Sequence, residues 1–252
     1  LGKVKSKSFN IKTSFDADLS SGKIDLPSLS FDTLGISIGG NLKGKNIQKN
    51  NGSMKGSISI TSKNPKPLLI ALGQADIAEV LKSININTDI SGNTSSVELK
   101  PLSLSAVFSG KNIPNSPVEL KIRADSEINL DKEILNLDSL QVSGLGLDVK
   151  GKVKASKFKT NPTYTGQIAV APFNLKEFLQ TLNKEAPNIS DKNALKHVAV
   201  KSDFAGEKNK LSLKKMNAEL DETKLQGDIN IKSFTPLVVE FGMGIDKLNI
   251  DR

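Results

Sequence analysis

The chain states nearly the same sequence twice, and a duplicated pattern limits a fold more than any single motif does. Gly35-Ile-Ser-Ile-Gly-Gly40 returns as Gly146-Leu-Asp-Val-Lys-Gly151, and Gly56-Ser-Ile-Ser-Ile60 returns as Gly166-Gln-Ile-Ala-Val170. Leu81 to Ile90 then matches Leu195 to Phe204, and Pro117 to Asp131 matches Pro236 to Asp251. The offset drifts along the chain, as it does when loops of duplicated units gain residues. Two repeats that build one surface point to a scaffold or conduit rather than to a single reaction centre.

Inside each repeat the apolar residues alternate with polar ones. Ile36/Ile38, Ile58/Ile60, Ile84/Ile86, Ile168/Val170, Val198/Val200 and Ile229/Ile231 all recur at a spacing of two, the period of a strand with one wet face. Turn residues separate the runs at Lys49–Gly52, Ser91–Asn93, Ser109–Asn112, Asn115–Pro117, Gly206–Asn209 and Asp221–Thr223, so successive strands form antiparallel hairpins. In Val97-Glu-Leu-Lys-Pro-Leu-Ser-Leu104 the apolar phase switches after Leu99. In Leu211-Ser-Leu-Lys-Lys-Met-Asn-Ala218 it switches after Leu213. A phase slip requires an extra residue, which predicts β-bulges near Lys100-Pro101 and Lys214-Lys215. Pro101 suits such a place because it has no N–H for the ladder.

Each repeat also carries a helical insertion. In the first, Pro67–Gly73 precedes Asp76–Lys82, with Asp76 as the expected N-cap. In the second, Asn174 is the expected cap of a helix whose Leu175, Phe178, Leu179 and Leu182 share one face. Asp191-Lys-Asn-Ala-Leu-Lys196 reads as a further short helix capped by Asp191. The apolar stripe fits a helix plugging the end of a sheet, or one lying on a membrane surface.

Composition narrows the chemistry. The chain has no Cys and a single His, so zinc sites of the usual kinds are excluded, and no disulfide is available. No apolar run is long enough to span a membrane as a helix. The glycine pairs Gly144/Gly146 and Gly242/Gly244 lack the strand-turn-helix setting of a nucleotide fingerprint and read as strand glycines near bends or close contacts. His197 reads as a surface residue, and Asp221-Glu222 as turn carboxylates. No catalytic constellation or cofactor site emerges, and we expect no enzyme. Net charge is +8, almost all from Lys. Scarce Arg and aromatics disfavour nucleic acid. The lysines read as solvated strand faces, or as attraction to anionic lipid headgroups. The chain starts at Leu1 and stops within an alternating run, so it reads as a segment of a longer protein.

Phe173-Asn-Leu-Lys-Glu-Phe-Leu-Gln-Thr-Leu182, Pro187 and Asp191-Lys-Asn-Ala-Leu195, followed by Leu211-Ser-Leu and Met216-Asn-Ala-Glu-Leu-Asp-Glu-Thr-Lys-Leu-Gln-Gly227, resemble the AsmA family of bacterial envelope proteins. Pro236-Leu-Val-Val-Glu-Phe and Ile245 to Arg252 continue the likeness. It covers residues 160–252 directly and residues 24–135 through the internal repeat. The resemblance implies a periplasmic protein of the Gram-negative envelope, tethered to the inner membrane by an N-terminal anchor that this sequence lacks. It also implies a part in outer-membrane homeostasis, with larger relatives acting as phospholipid bridges.

The expected fold is therefore mainly β: an elongated, bent antiparallel meander of two repeats, residues 1–135 and 136–252, forming one continuous sheet. Helical insertions are expected near 66–82 and 172–196. A sheet with one apolar face and little to cover it could bind acyl chains, at about 0.8 kcal/mol per buried CH₂. Leu102, Leu104, Ala106 and Phe108, with Met216, Ala218 and Leu220, are the candidates for that groove, or else members of an ordinary closed core. The expected function is binding or conducting phospholipid. The alternative is a structural or protein-interaction module of the envelope.

Overall fold

The computed structural model describes residues 9–18, 20–47, 52–111, 113–187, 191 and 193–246. The chain divides into two units, Leu1–Asp131 and Lys132–Arg252. The fold is mainly β, an open antiparallel meander in which strand order is chain order.

In the first unit the strands are β1 (Phe9–Asp18), β2 (Lys23–Thr33), β3 (Ile36–Lys45), β4 (Ser53–Ser62), β5 (Leu81–Gly92), β6 (Ser96–Phe108) and β7 (Val118–Asn129). Helices α1 (Lys66–Ala71) and α2 (Ala75–Val80) join β4 to β5. In the second unit the strands are β8 (Ile134–Gly144), β9 (Leu147–Ser156), β10 (Thr163–Phe173), β11 (Val198–Glu207), β12 (Lys210–Leu220), β13 (Thr223–Phe234) and β14 (Leu237–Ile245). Helix α3 (Leu175–Thr181) joins β10 to β11.

Strand registers match the alternation read from the sequence. In the first unit Ile38 faces Ile60, Ile60 faces Ile86, and Ile86 faces Leu104, which faces Ile122. Paired residues share a face, so these side chains form one apolar row running across β3 to β7. Val149, Val170, Val200, Ala218 and Leu225 form the corresponding row across β9 to β13. Hairpin chemistry is also duplicated. Leu34-Gly35 between β2 and β3, and Leu145-Gly146 between β8 and β9, all have positive φ, the signature of the tight turn that matches strand twist. Gly146 is thus a turn residue rather than a strand glycine. Gly242 is a strand glycine in β14, but open space surrounds its Cβ position, so close approach does not explain it.

Both expected bulges are present. The β6 register shifts between Leu99 and Leu102, and the β12 register between Leu213 and Met216. Lys215 takes φ +51° there, and the Asp228 carboxylate accepts its N–H at 2.8 Å. Two further bulges occupy equivalent places, between Leu26 and Leu29 in β2 and between Leu137 and Leu140 in β8. The repeating unit is therefore six strands long, β2–β7 and β8–β13. This corrects the last sequence match: Val118–Asn129 is β7, whose counterpart by strand order is β13, whereas Pro236 leads into β14. Alternation alone cannot distinguish neighbouring strands of the same phase, and the end of Pro236–Asp251 lies outside the described residues.

The helices need two adjustments. Gln74, not Asp76, is the N-cap of α2, and Asp76 lies inside its first turn without a capping bond. Asn174 does cap α3, its Oδ1 accepting from Lys176 N at 3.0 Å and Glu177 N at 3.3 Å. The helix expected at Asp191–Lys196 is replaced by a turn at 193–195, with the Asp191 side chain accepting from Asn193 N at 2.8 Å. Carboxylates take the N–H groups that would build the helix, Asp191 that of Asn193 and Asp221 those of Leu195, Lys196 and His197. Lys192 lies outside the described residues, as do parts of the turns at Lys49–Gly52 and Ser109–Asn112. Among the described residues no helix is long and apolar enough to cross a membrane.

Candidate functional site

Among the described residues, each unit presents a broad apolar face whose side chains mostly keep part of their surface in solvent. In a closed sandwich the Leu, Ile and Phe side chains between the layers would be fully covered. Here the buried apolar residues of the first unit are Ala78, Leu81, Ala106 and Ala124, and those of the second are Ala194, Leu195 and Met216. Among the described residues the largest fully buried side chains are Pro65, Ser126 and Ser202. The solvent-accessible surface is 16560 Å² for 27.0 kDa, where two compact domains of half that mass would together expose about 13,000 Å².

The sequence candidates fall on these faces. Leu102, Leu104, Ala106 and Phe108 follow one another down β6, beside Ala124, Ile122, Leu120 and Val118 of β7. Ala106 is buried and the other three keep part of their surface in solvent. Met216, Ala218 and Leu220 do the same in β12, beside Gly227, Leu225 and Thr223 of β13. Met216 is buried, with Ala218 and Leu220 part-exposed. The first four belong to one unit and the last three to the other.

Aromatic rings line part of the second unit's face. Gly166 faces Phe204 and Gly206 faces Tyr164. A Cβ on Gly166 would stand 2.8 Å from the Phe204 ring, so glycine there leaves room for a ring to lie across the neighbouring strand. The Tyr164 hydroxyl donates to Glu207 O at 2.9 Å. At the end of the face the Asp221 carboxylate accepts from three backbone N–H groups, of Leu195 (2.6 Å), Lys196 (3.0 Å) and His197 (3.1 Å). It ties the β12–β13 turn to the segment after α3, a structural use of a turn carboxylate. The α3 stripe is part-buried, and Phe178 meets Phe173 edge to face at 5.5 Å.

The first unit ends in a cleft of about 1110 Å³ beside α1, with Phe9, Leu34, Ile36, Pro67 and Ile84 among its walls and Lys63 at its rim. Ser62 Oγ donates to Gly35 O at 2.5 Å and accepts from Asn64 N at 3.1 Å, which clamps the start of the helical insertion over the β2–β3 turn. None of the seven sequence candidates lines this cleft. The sequence reading missed it, although the duplicated Leu-Gly turn marked one of its walls.

Titratable chemistry is sparse. Asp18 is held well below the carboxylate range by the hydroxyls of Ser20 and then Ser21, with their N–H groups adding to the effect. Hydrogen bonding and attraction from Lys66 lower Glu79, and hydrogen bonding from Glu207 raises Lys210. All three are surface groups. His197 is exposed, with Nε2 3.6 Å from Glu219. Among the described residues no cluster of three His, Asp or Glu side chains could hold a metal ion.

Comparison with protein-family models, curated proteins and solved structures found no match.

Proposed function

We propose that this chain is a non-enzymatic, AsmA-like segment that binds or conducts phospholipid along its apolar β faces, acting in the periplasm in support of the outer membrane. The carrying observation is the uncovered apolar face: rows of Ile, Leu, Val and Phe with solvent on them and only short helices at one end. Acyl chains would complete such a layer, and burial of each methylene would contribute about 0.8 kcal/mol without a sequence-specific contact. Part-exposed Leu102, Leu104 and Phe108 in the first unit, with Ala218 and Leu220 in the second, would form the lining.

The test is direct. Protein purified without detergent is extracted into organic solvent, and the extract is analysed by mass spectrometry. The proposal expects phospholipid in stoichiometric amount. Repeated preparations of folded protein without lipid would leave the interaction-module reading in its place.

A further inference from the structure

The face opposite the apolar one differs between the repeats in a way that general lysine bias does not explain. On β9, Lys150, Lys152 and Lys154 are all exposed on the polar face. Most of their cross-strand partners are neutral: Gln141 and Ala169 beside Lys150, Asn136 and Thr165 beside Lys154, and Gln167 on one side of Lys152, whose other side is the β8 bulge that carries Asp138. Lys201 on β11 lies beyond Ala169, and Lys214 on β12 lies beyond Asp203. Among the described residues none of these five lysines forms an ion pair. Lys215 pairs with Asp203 at 3.7 Å, and Gln167 also donates to Asp203 at 2.8 Å. Asp138 and Asp148 border the patch, so its lysines outnumber its carboxylates. A shallow cleft of about 350 Å³ opens among Lys152, Gln167, Asp203 and Lys214.

The first repeat has a cleft at the same place, walled by Asn41, Ser57, Asn87, Asp89 and Pro101 among others. Positions 150, 152, 201 and 215 are there Gly39, Asn41, Asn87 and Pro101. The two lysines common to both patches are neutralised in the first, Lys43 by Asp25 at 3.8 Å and Lys100 by Glu98 at 3.4 Å. The same backbone thus carries a neutral polar surface once and a cationic one once.

We infer that the polar face of β9–β12 is a docking surface for an anionic lipid bilayer. The lysine row on β9 spans about 13 Å, and β9 to β11 add about 10 Å across, a spread charge rather than a pocket. The patch has no Arg to grip a fixed phosphate with two parallel bonds and no aromatic ring for a base to stack on, since Phe204 and Tyr164 belong to the apolar face. Lipid headgroups diffuse laterally and can collect beneath dispersed ammonium groups, each worth about a fivefold change in partitioning near such a surface. The surface is separate from the apolar face and would operate whether or not that face holds lipid.

Flotation of the whole chain with vesicles tests this. At low salt the protein is expected to bind phosphatidylcholine vesicles containing phosphatidylglycerol, to leave pure phosphatidylcholine vesicles unbound, and to release at high salt as the charges are screened. The K150Q/K152Q/K154Q variant is expected to bind about a hundredfold more weakly, with an unchanged circular-dichroism spectrum and Tm. The K12Q/K43Q/K55Q variant removes equal charge from the first unit and is expected to lose less than tenfold. Equal binding to neutral vesicles, no binding to either kind, or equal losses in the two variants would overturn the inference.

Discussion

Ser202 Oγ lies 3.1 Å from the Lys214 carbonyl, across the strand gap where β12 carries its extra residue, and 2.8 Å from the carbonyl of Asp203. The hydroxyl is on the apolar face and only 2% exposed, and these two carbonyls share its single proton. Thr88, the equivalent residue of β5, is buried opposite the β6 bulge and donates to Asp89 O at 3.0 Å. Each repeat therefore pairs a bulge with a buried hydroxyl on the strand before it.

Replacing Ser202 with Ala is expected to cost about 1–2 kcal/mol, because the Asp203 and Lys214 carbonyls lose the donor that this buried side chain supplies. Urea unfolding of the variant would measure it. A change below the error of the fit would mean that water serves the bulge as well as the hydroxyl does.

Lys215 holds a left-handed conformation at φ +51°, which costs a side-chain-bearing residue about 1–2 kcal/mol. Lys215→Gly is expected to raise stability by up to about 1 kcal/mol, part of the relief being offset by the freer unfolded chain. Lys215→Pro cannot reach that φ and removes the N–H bound by Asp228, so it is expected to lower stability by about 3 kcal/mol or more. Thermal unfolding of the two variants should move Tm in opposite directions.

Asp221 accepts three backbone N–H groups from residues 195–197. Asp221→Ala is expected to cost about 2–3 kcal/mol, since hydrogen bonds to a charged acceptor are among the stronger ones. Amide hydrogen exchange at Leu195 and Lys196 should accelerate most. Unchanged exchange there would show that the carboxylate does not hold this segment.

Asp18 provides a test of pH dependence. Its carboxyl in the folded chain titrates below its ordinary value of 3.8 because the ionised form accepts from Ser20 and Ser21. A depressed folded pKa adds stability that is present above the unfolded value and is lost as pH falls through the folded one. NMR titration should find no Asp18 inflection near 3.8, and the S20A/S21A variant should bring it back toward that value.

Much of this architecture is legible in the sequence, because alternation fixes the face of every strand and turn residues separate them. The bulges at Leu99/Leu102 and Leu213/Met216 were readable as phase slips. The same slip stands in Ile24-Asp-Leu26 against Leu29-Ser-Phe31, and in Leu135-Asn-Leu137 against Leu140-Gln-Val142, so the β2 and β8 bulges carried a signal too. Thr88 and Ser202 were legible only as polar breaks in rows of Ile and Val, and their purpose depends on the neighbouring strand. Asp191 misled because a capping residue is equally at home in a turn, where local hydrogen bonding suffices. The lysine surface of β9 became visible only through strand register, which sets Lys150 between Gln141 and Ala169 and Lys154 between Asn136 and Thr165.

The central claim is that lipid occupies the apolar face of the sheet. Photo-crosslinking from adjacent positions of β6 tests it most directly, with a benzophenone amino acid placed at Leu104 on the apolar face or at Ser105 on the polar face, in cells, followed by mass spectrometry of the adducts. The account predicts phospholipid adducts from position 104 and none from position 105. Equal yields from both positions, or no lipid adduct at position 104 in folded protein, would contradict it.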